Sequence, residues 1–229
     1  MSNMPVTEKL ATDSQGRCFI KIVREKKISR AVLQKALNNG SIARYLDSLI
    51  ADEKSSYNPL SDKHIRRLTT LAKQEGARIL VLRRVPVTQD LDWQDAINLV
   101  GSDTPHDSPI RMVKVSALFP PASHCEDLID IVLLNYPNGD GDWDKALAWA
   151  DKASMNITNP REVFAIGTHR PSLHVFLGQD QIHVVASTEA TCFDQRFIPS
   201  IWSDDLRSGA SVIYPCDCKS PSIWHAFRQ

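Results

Sequence analysis

The last third of the chain, residues 156–229, constrains the fold most, because a clearly marked helix start precedes several short β-prone runs. Asn159 provides an N-cap, Pro160 stands at the first helical position, and Glu162 is placed to complete a capping box. Gly167 is expected to end this helix. Five β-prone runs separated by turn residues follow and predict a curled antiparallel sheet. These runs are residues 173–177, 182–187, 196–202, 210–214 and 223–228.

The rest of the chain mixes helix and strand patterns, which predicts the α+β class. We expect a flexible leader over residues 1–16, a basic helical segment over 17–76 and an α+β body over 77–229. Apolar periodicity and caps predict helices at 29–39, from Ser41 to residue 50, at 61–75, 91–100 and 142–151. Alternating or continuous apolar runs predict strands at 17–23, 78–85, 110–119 and 128–136.

The charges are segregated although the net charge of the 229 residues is zero. Residues 17–84 carry 16 Lys and Arg against 6 Asp and Glu, whereas residues 85–229 carry 10 against 19. A basic half of this kind is typical of a surface for nucleic acid or an acidic partner. The alternative is that the two halves attract each other within the chain.

Residues 128–229 resemble a group of small uncharacterised bacterial proteins with a C-type-lectin-like region related to the formylglycine-generating enzymes. Three stretches carry the resemblance: residues 159–167 at the helix start, 196–202 ending in Ile201-Trp202, and the terminal aromatic strand 224–228. The resemblance implies a C-type-lectin-like fold for this region. The disulfide pattern and the calcium-ligand tripeptide of lectins are absent from the sequence, so the resemblance implies no cofactor.

The candidate binding residues lie in predicted loops of the body, where binding residues concentrate. His169 and Arg170 follow the helix stop and are suited to holding an anion. Trp202 stands beside charged residues, a composition typical of binding hot spots. The full set is His169, Arg170, Trp202, Asp204, Asp205 and Arg207. The first hypothesis is therefore a non-enzymatic recognition protein whose partner is a protein or a small ligand.

The second hypothesis is a nucleic-acid-associated protein that uses the basic helices. Its candidate contacts are Lys26, Lys27, Arg30, Arg66 and Arg67. Such side chains on the outer face of short helices are suited to phosphate contacts. The second predicted helix, however, offers a single cation and spends its length on apolar residues, which indicates packing in a core. No Gly-rich phosphate loop is found in the sequence.

The third hypothesis is a hydrolase that uses Cys125, Cys192, Cys216 or Cys218 with a histidine. No recognisable catalytic constellation supports it, so we assign no catalytic residue. Cys216-Asp217-Cys218 followed by His225 suggests metal ligands, but the two thiols are one residue apart and structural zinc sites space them more widely. We therefore predict neither metal nor cofactor.

The sequence also indicates where the protein works. No apolar run approaches the roughly 20 residues that span a bilayer, and the polar residues 1–16 do not form a secretory signal. Five cysteines form no paired framework, which is typical of a reducing compartment. We expect a cytoplasmic protein without membrane contact.

Overall fold

The computed structural model describes Gln34, Tyr57 and residues 59–111, 117–119, 127–192 and 195–229. The chain divides into two compact units, Met1–Lys54 and Ser55–Gln229, and all of these residues except Gln34 belong to the second. Gln34, within the predicted helix 29–39, is helical. The rest of that helix, the predicted strand 17–23 and the predicted helix that begins at Ser41 lie outside the described residues, as do the candidate cations Lys26, Lys27 and Arg30.

The second unit combines helices with one mixed sheet, so the predicted α+β class is confirmed. The helices are α1 (Asp62–Gln74), α2 (Trp93–Val100), α3 (Trp143–Ala153), α4 (Pro160–His169) and α5 (Leu173–Leu177), with 3₁₀ turns at Pro109–Arg111 and Pro215–Asp217. The strands are β1 (Arg78–Val87), β2 (Asp127–Asn135), β3 (Asn156–Ile157), β4 (Gln181–Val185), β5 (Ala190–Cys192), β6 (Gln195–Asp204), β7 (Ser208–Ile213) and β8 (Ile223–Arg228).

The sheet runs in the order β1–β2–β8–β4–β6, with β7 and β5 paired to β6 and β3 paired to β8. Every pairing is antiparallel except that of β4 with β8. The sheet is not closed, and β1 stands at one end of this order. The final strand of the chain therefore lies in the middle of the sheet, where β2 and β4 flank it.

Helices cover both faces of the sheet because its central strands are apolar on both sides. Val132 and Leu134 of β2 face a core that also contains side chains of α1 and α3, including Trp149. Ile131 and Leu133 alternate with these residues along β2, so they face the opposite side of the sheet and a second core shared with α2 and α4. Helix α1 thus packs in the same unit as the sheet.

Helix α4 begins as its sequence predicts. The Asn159 side chain accepts a hydrogen bond from the Glu162 amide, and the Glu162 carboxylate accepts one from the Asn159 amide. Glu162 is fully buried, and it also accepts from Arg228 of β8 at 3.0 Å. Burial raises the pKa of Glu162, while Arg228 opposes the rise. This carboxylate therefore joins the start of α4 to the end of the central strand.

The predicted end of α4 at Gly167 is wrong, because the helix continues to His169. Gly167 is buried within the helix, and a β-carbon added there would lie 2.8 Å from the Val100 side chain. The residue therefore allows close packing and does not form a left-handed helix end.

Two predicted strands are wrong where the structure describes them. Residues 173–177 form helix α5, because Gly178 takes a left-handed conformation (φ 64°) and its amide donates to helix carbonyls. Residues 110–119 begin in the 3₁₀ turn Pro109–Arg111, where the Ile110 carbonyl accepts the Trp93 indole N–H at 2.6 Å, and residues 117 and 118 are helical.

Among the described residues, no helix combines the length and the apolar character needed to cross a membrane.

Candidate binding cleft

A cleft of about 610 Å³ lies between β1 and the segment that joins α4 to α5, close to two of the predicted site residues. A volume of this size lies within the range of small-ligand sites, roughly 300–1,000 Å³. The cleft is lined by Leu80, Val81, Leu82, Arg83, His169, Arg170, Pro171, Ser172, Leu173 and Phe176. Two predicted residues, His169 and Arg170, thus lie on its wall.

The cleft exists because the chain turns sharply after α4. Arg170 ends the helix, its amide donating to the Ile166 carbonyl at 2.7 Å. Pro171 follows at once, and α5 then runs for only five residues. Within this short helix Leu173 is buried, whereas Val175 and Phe176 are 63% and 74% exposed. Two large apolar side chains therefore stand in solvent, and one of them lines the cleft.

Arg83, His169 and Arg170 are the basic residues among the described side chains that line the cleft. Among the described residues, no Asp or Glu lines it. The Arg170 guanidinium is exposed, and its hydrogen bond within the described part of the chain goes to the His169 carbonyl at 3.3 Å. Arg83 pairs with Asp62 at 3.1 Å, with both side chains well exposed, so water screens the pair. The cleft thus combines an apolar floor with cations at its mouth.

A buried carboxylate shapes the strand beside the cleft. Asp130 of β2 accepts hydrogen bonds from the Tyr57 hydroxyl, the Leu60 amide at 2.8 Å and the Arg84 amide at 3.0 Å. These bonds accompany a β-bulge, at which the regular pairing of β1 with β2 breaks between Leu82 and Val85 and Arg84 has a positive φ of 57°. Burial raises the pKa of Tyr57, and the hydrogen bond to Asp130 raises it further.

The other four predicted residues lie on the hairpin formed by β6 and β7. Asp204 accepts from the amides of Leu206 and Arg207 at 2.9 and 2.7 Å, and these bonds lower its pKa. The Arg207 guanidinium lies 5.5 Å from the centre of the Trp202 ring. Asp204 therefore stabilises the turn, and Leu206 at its tip is 90% exposed.

Two of the predicted residues, Arg170 after α4 and Trp202 on the hairpin, lie close together. Arg170 and Trp202 both line a second recess, of about 10 Å³, which has room for about one water molecule. His169 lines the large cleft and not this recess. The six predicted residues thus do not form one concave site.

A hydrogen-bonded chain of Asp205, His174 and Ser203 escaped the sequence analysis. The His174 imidazole is 4% exposed, with Nε2 3.2 Å from Asp205 Oδ1 and Nδ1 3.2 Å from Ser203 Oγ. An ionised carboxylate only accepts, so a neutral imidazole donates from Nε2 and accepts the Ser203 proton at Nδ1. A serine hydrolase triad has the same order of groups, but Ser203 is 7% exposed, and among the described residues it lines the 10 Å³ recess and not the large cleft. These hydrogen bonds therefore connect α5 to the hairpin of β6 and β7.

No local signal reveals this chain of three groups, since Ser203 and His174 are 29 residues apart in the sequence. Only the pairing of strands brings them together.

The structure places one thiol of the hydrolase hypothesis, Cys218, unfavourably. Cys218 is buried, and burial raises the pKa of its thiol to about 12, which opposes the nucleophilic thiolate. Burial lowers the pKa of His225 to about 4. Cys216 is exposed, Cys125 lies outside the described residues, and the structure does not describe the Cys192 side chain. No group of three His, Cys, Asp or Glu suited to a metal occurs in the described part.

The basic residues of the nucleic-acid hypothesis that can be placed lie on α1. Arg66 and Arg67 are exposed, whereas Leu68 and Ala72 of the same helix are buried against the sheet. The Arg67 guanidinium donates to the Lys152 carbonyl at 3.4 Å. The cations therefore occupy the outer face of a helix whose inner face belongs to the core.

Fold and cleft together define an α+β protein with an apolar, cation-bordered cleft beside the end strand of its sheet. No protein-family model, curated protein or solved structure matches the chain.

Proposed function

We propose that this chain is a non-enzymatic recognition protein, working in the cytoplasm, whose Ser55–Gln229 unit binds a protein or small ligand in the cleft. The observation that carries the proposal is the 610 Å³ opening with an apolar floor and the Arg170 guanidinium at its mouth. Apolar walls with a few placed polar groups are typical of binding sites. The chemistry predicts a ligand with an apolar body and an anionic group.

We also propose that residues 128–229 are C-type-lectin-like. Support comes from the order of elements: strand β2, helix α3, the capped helix α4, a curled set of strands and the aromatic strand β8. In addition, β2 and β8, the first and last of these strands, pair with each other.

Recognition is favoured over catalysis by the positions of the reactive groups. Ser203 opens onto a recess for about one water, and the Cys218 thiol is held protonated by burial. Neither group lines the large cleft. A substrate bound there would therefore meet arginine, histidine, Ser172 and apolar side chains, but neither Ser203 nor Cys218.

Anilinonaphthalene sulfonate, an apolar anion whose fluorescence rises on burial, tests the proposal directly. The full chain is titrated with the dye, and Phe176→Ser and Arg170→Gln are each expected to weaken binding about fivefold or more. Leu206→Ser and Lys219→Gln remove an apolar and a cationic group that are also exposed but lie elsewhere, and they are the matched controls. Equal binding by all five proteins contradicts the proposal.

A second candidate function is nucleic-acid binding through α1. It is favoured by the four exposed cations on that helix, which are Lys63, Arg66, Arg67 and Lys73. Phosphate contacts of this kind give an affinity that falls steeply with salt. Retention on random duplex DNA is measured across a salt titration for the chain and for Arg66→Glu with Arg67→Glu. Unchanged retention of the double variant at low salt removes this candidate.

A further inference from the structure

We propose that the occupant of the cleft is an extended, acidic segment of a partner protein, which adds as a short strand to the outer edge of β1 with a carboxylate against Arg170. This inference rests on the proposed function and names the class of its ligand.

The first observation is the pairing of β1. Within the described residues, β1 pairs with β2 on one side and with no strand on the other. In an antiparallel strand, alternate residues direct their N–H and C=O groups away from the partner strand. Such an edge is a template for another extended chain.

The second observation is the run of residues along the cleft. Leu80, Val81, Leu82 and Arg83 are consecutive, and all four line it. Successive side chains of a strand point to opposite faces of a sheet. An opening that reaches four in a row therefore reaches the strand from its edge, where the backbone groups are. A peptide can use those groups for hydrogen bonds, and alternate side chains can enter the cleft.

Leu80 and Leu82 pair with Leu133 and Ile131, two residues of the core that α2 and α4 cover. They therefore lie on the face of the sheet that holds the cleft. Phe176, exposed by 74%, lies opposite them on α5. An aliphatic or aromatic side chain of the incoming strand would contact all three and bury apolar surface that now meets water.

The bulge limits the length of the added strand. Regular pairing with β2 covers Arg78 to Leu82 and breaks before Val85, where Asp130 binds the Arg84 amide. Five residues of strand span roughly 16 Å. We expect the added segment to have about four or five residues in register.

Charge selects an acidic segment over a neutral one. The Arg170 guanidinium has no carboxylate partner among the described residues, and none lines the cleft. Arginine binds carboxylates through paired, charge-assisted hydrogen bonds. A glutamate or a free carboxyl end on the incoming strand would supply the missing partner.

The probes are fluorescein-labelled hexapeptides with aliphatic or aromatic residues at alternate positions and a glutamate near the carboxyl end. Fluorescence anisotropy is measured against the full chain. We expect members of the set to bind, N-methylation of two alternate backbone amides to weaken binding about tenfold, and Arg170→Gln to do the same. Peptides in which glutamine replaces the glutamate should bind Arg170→Gln as well as they bind the unaltered chain. Lys219→Gln removes a cation elsewhere on the surface and controls for the loss of a positive charge.

Each outcome separates this inference from the proposed function. Peptides that bind equally well after N-methylation at either set of alternate amides overturn strand addition. Binding of anilinonaphthalene sulfonate that depends on Phe176 and Arg170, without binding of any peptide, overturns the peptide and leaves a small-ligand site. A chain that sediments as a dimer and excludes the peptides until diluted to monomer assigns the edge of β1 to a second copy and also overturns the inference. Failure of dye and peptides together overturns the proposed function as well.

Discussion

The most quantitative prediction concerns His225, whose imidazole lies in the middle of the sheet. The side chain is 2% exposed and its Nδ1 has no hydrogen-bond partner among the described residues. Burial lowers the pKa of His225 from 6.5 to about 4, although Asp142 acts in the opposite direction. Protonation therefore costs the folded state more than the unfolded chain, and we expect His225→Leu to remove part of the protein's sensitivity to acid.

The sign follows from proton binding. Between pH 6.5 and 4 the unfolded chain holds more protons at this site than the folded one, so the free energy of unfolding falls as the pH falls. At pH 5 the loss from this one group is about 2 kcal/mol, and below pH 4 it approaches about 3 kcal/mol. Above pH 7 the site contributes nothing to the pH dependence.

Urea unfolding, followed through the buried Trp149 and Trp224, measures the effect in the chain and in His225→Leu at pH 7.5 and 5.0. The quantity of interest is the change in unfolding free energy between the two pH values, compared between the proteins. Glu162, whose raised pKa acts in the opposite direction, is present in both and cancels. We expect the leucine variant to lose about 2 kcal/mol less on acidification.

His106→Leu removes an exposed loop histidine and is the control for loss of an imidazole as such. Identical changes on acidification for the chain and for His225→Leu would falsify the argument, because burial would then not penalise the charged imidazole.

Three further predictions follow from the packing. Asp130→Asn places an amide N–H₂ among three donors and should lower the unfolding free energy by about 2–3 kcal/mol in urea titrations; a loss under about 0.5 kcal/mol contradicts its role. Gly141→Ala places a β-carbon on the Tyr136 ring and should lower the unfolding free energy by about 2–3 kcal/mol. Gly178→Ala meets no atom and is only strained by its positive φ, so it should lower the unfolding free energy by about 1 kcal/mol. A lower melting temperature for Gly178→Ala than for Gly141→Ala would refute the overlap. A fluorophosphonate probe should leave Ser203 unlabelled by mass spectrometry, and labelling that Ser203→Ala abolishes would restore the hydrolase hypothesis.

The parts of the fold that local sequence decides were predictable. The start of α4 is specified by Asn159, Pro160 and Glu162 within four residues, and the structure has both hydrogen bonds of the capping box there. Asp142 likewise accepts from the Lys145 amide at the start of α3. Such bonds join neighbours in the chain, so no knowledge of the tertiary fold is needed.

Segment 173–177 shows where this reasoning fails. Leu-His-Val-Phe-Leu is apolar enough for a strand or for a helix of one turn, and five residues are too few to reveal a period. The outcome depends on Gly178, which ends a helix, and on the burial of Leu173 and His174 against β4 and β6. The exposure of Phe176, and with it one wall of the cleft, follows from that tertiary choice.

The candidate site was predicted in part for the same reason. The sequence predicted a helix end near these residues, so His169 and Arg170 could be proposed, although the helix ends at His169 and not at Gly167. That β1 lies opposite them depends on the order of strands. Trp202 and Asp205 looked equally suitable as loop residues. In the structure Arg207 covers the Trp202 ring and Asp205 binds His174.

The distribution of hydrogen bonds gives the strongest reason to look for function at the cleft. Three of the carboxylates accept hydrogen bonds from backbone amides: Asp130 at the bulge, Asp204 at the turn and Glu162 at the helix start. Each of them therefore stabilises the local structure around it. Arg170, in contrast, projects an exposed guanidinium beside apolar surface, and within the described residues it meets a single carbonyl. A cation with unused donors costs little in water and stabilises the fold little. Under our proposal, a partner brings the carboxylate, and the edge of β1, which pairs with no strand among the described residues, supplies the backbone groups that hold that partner in register.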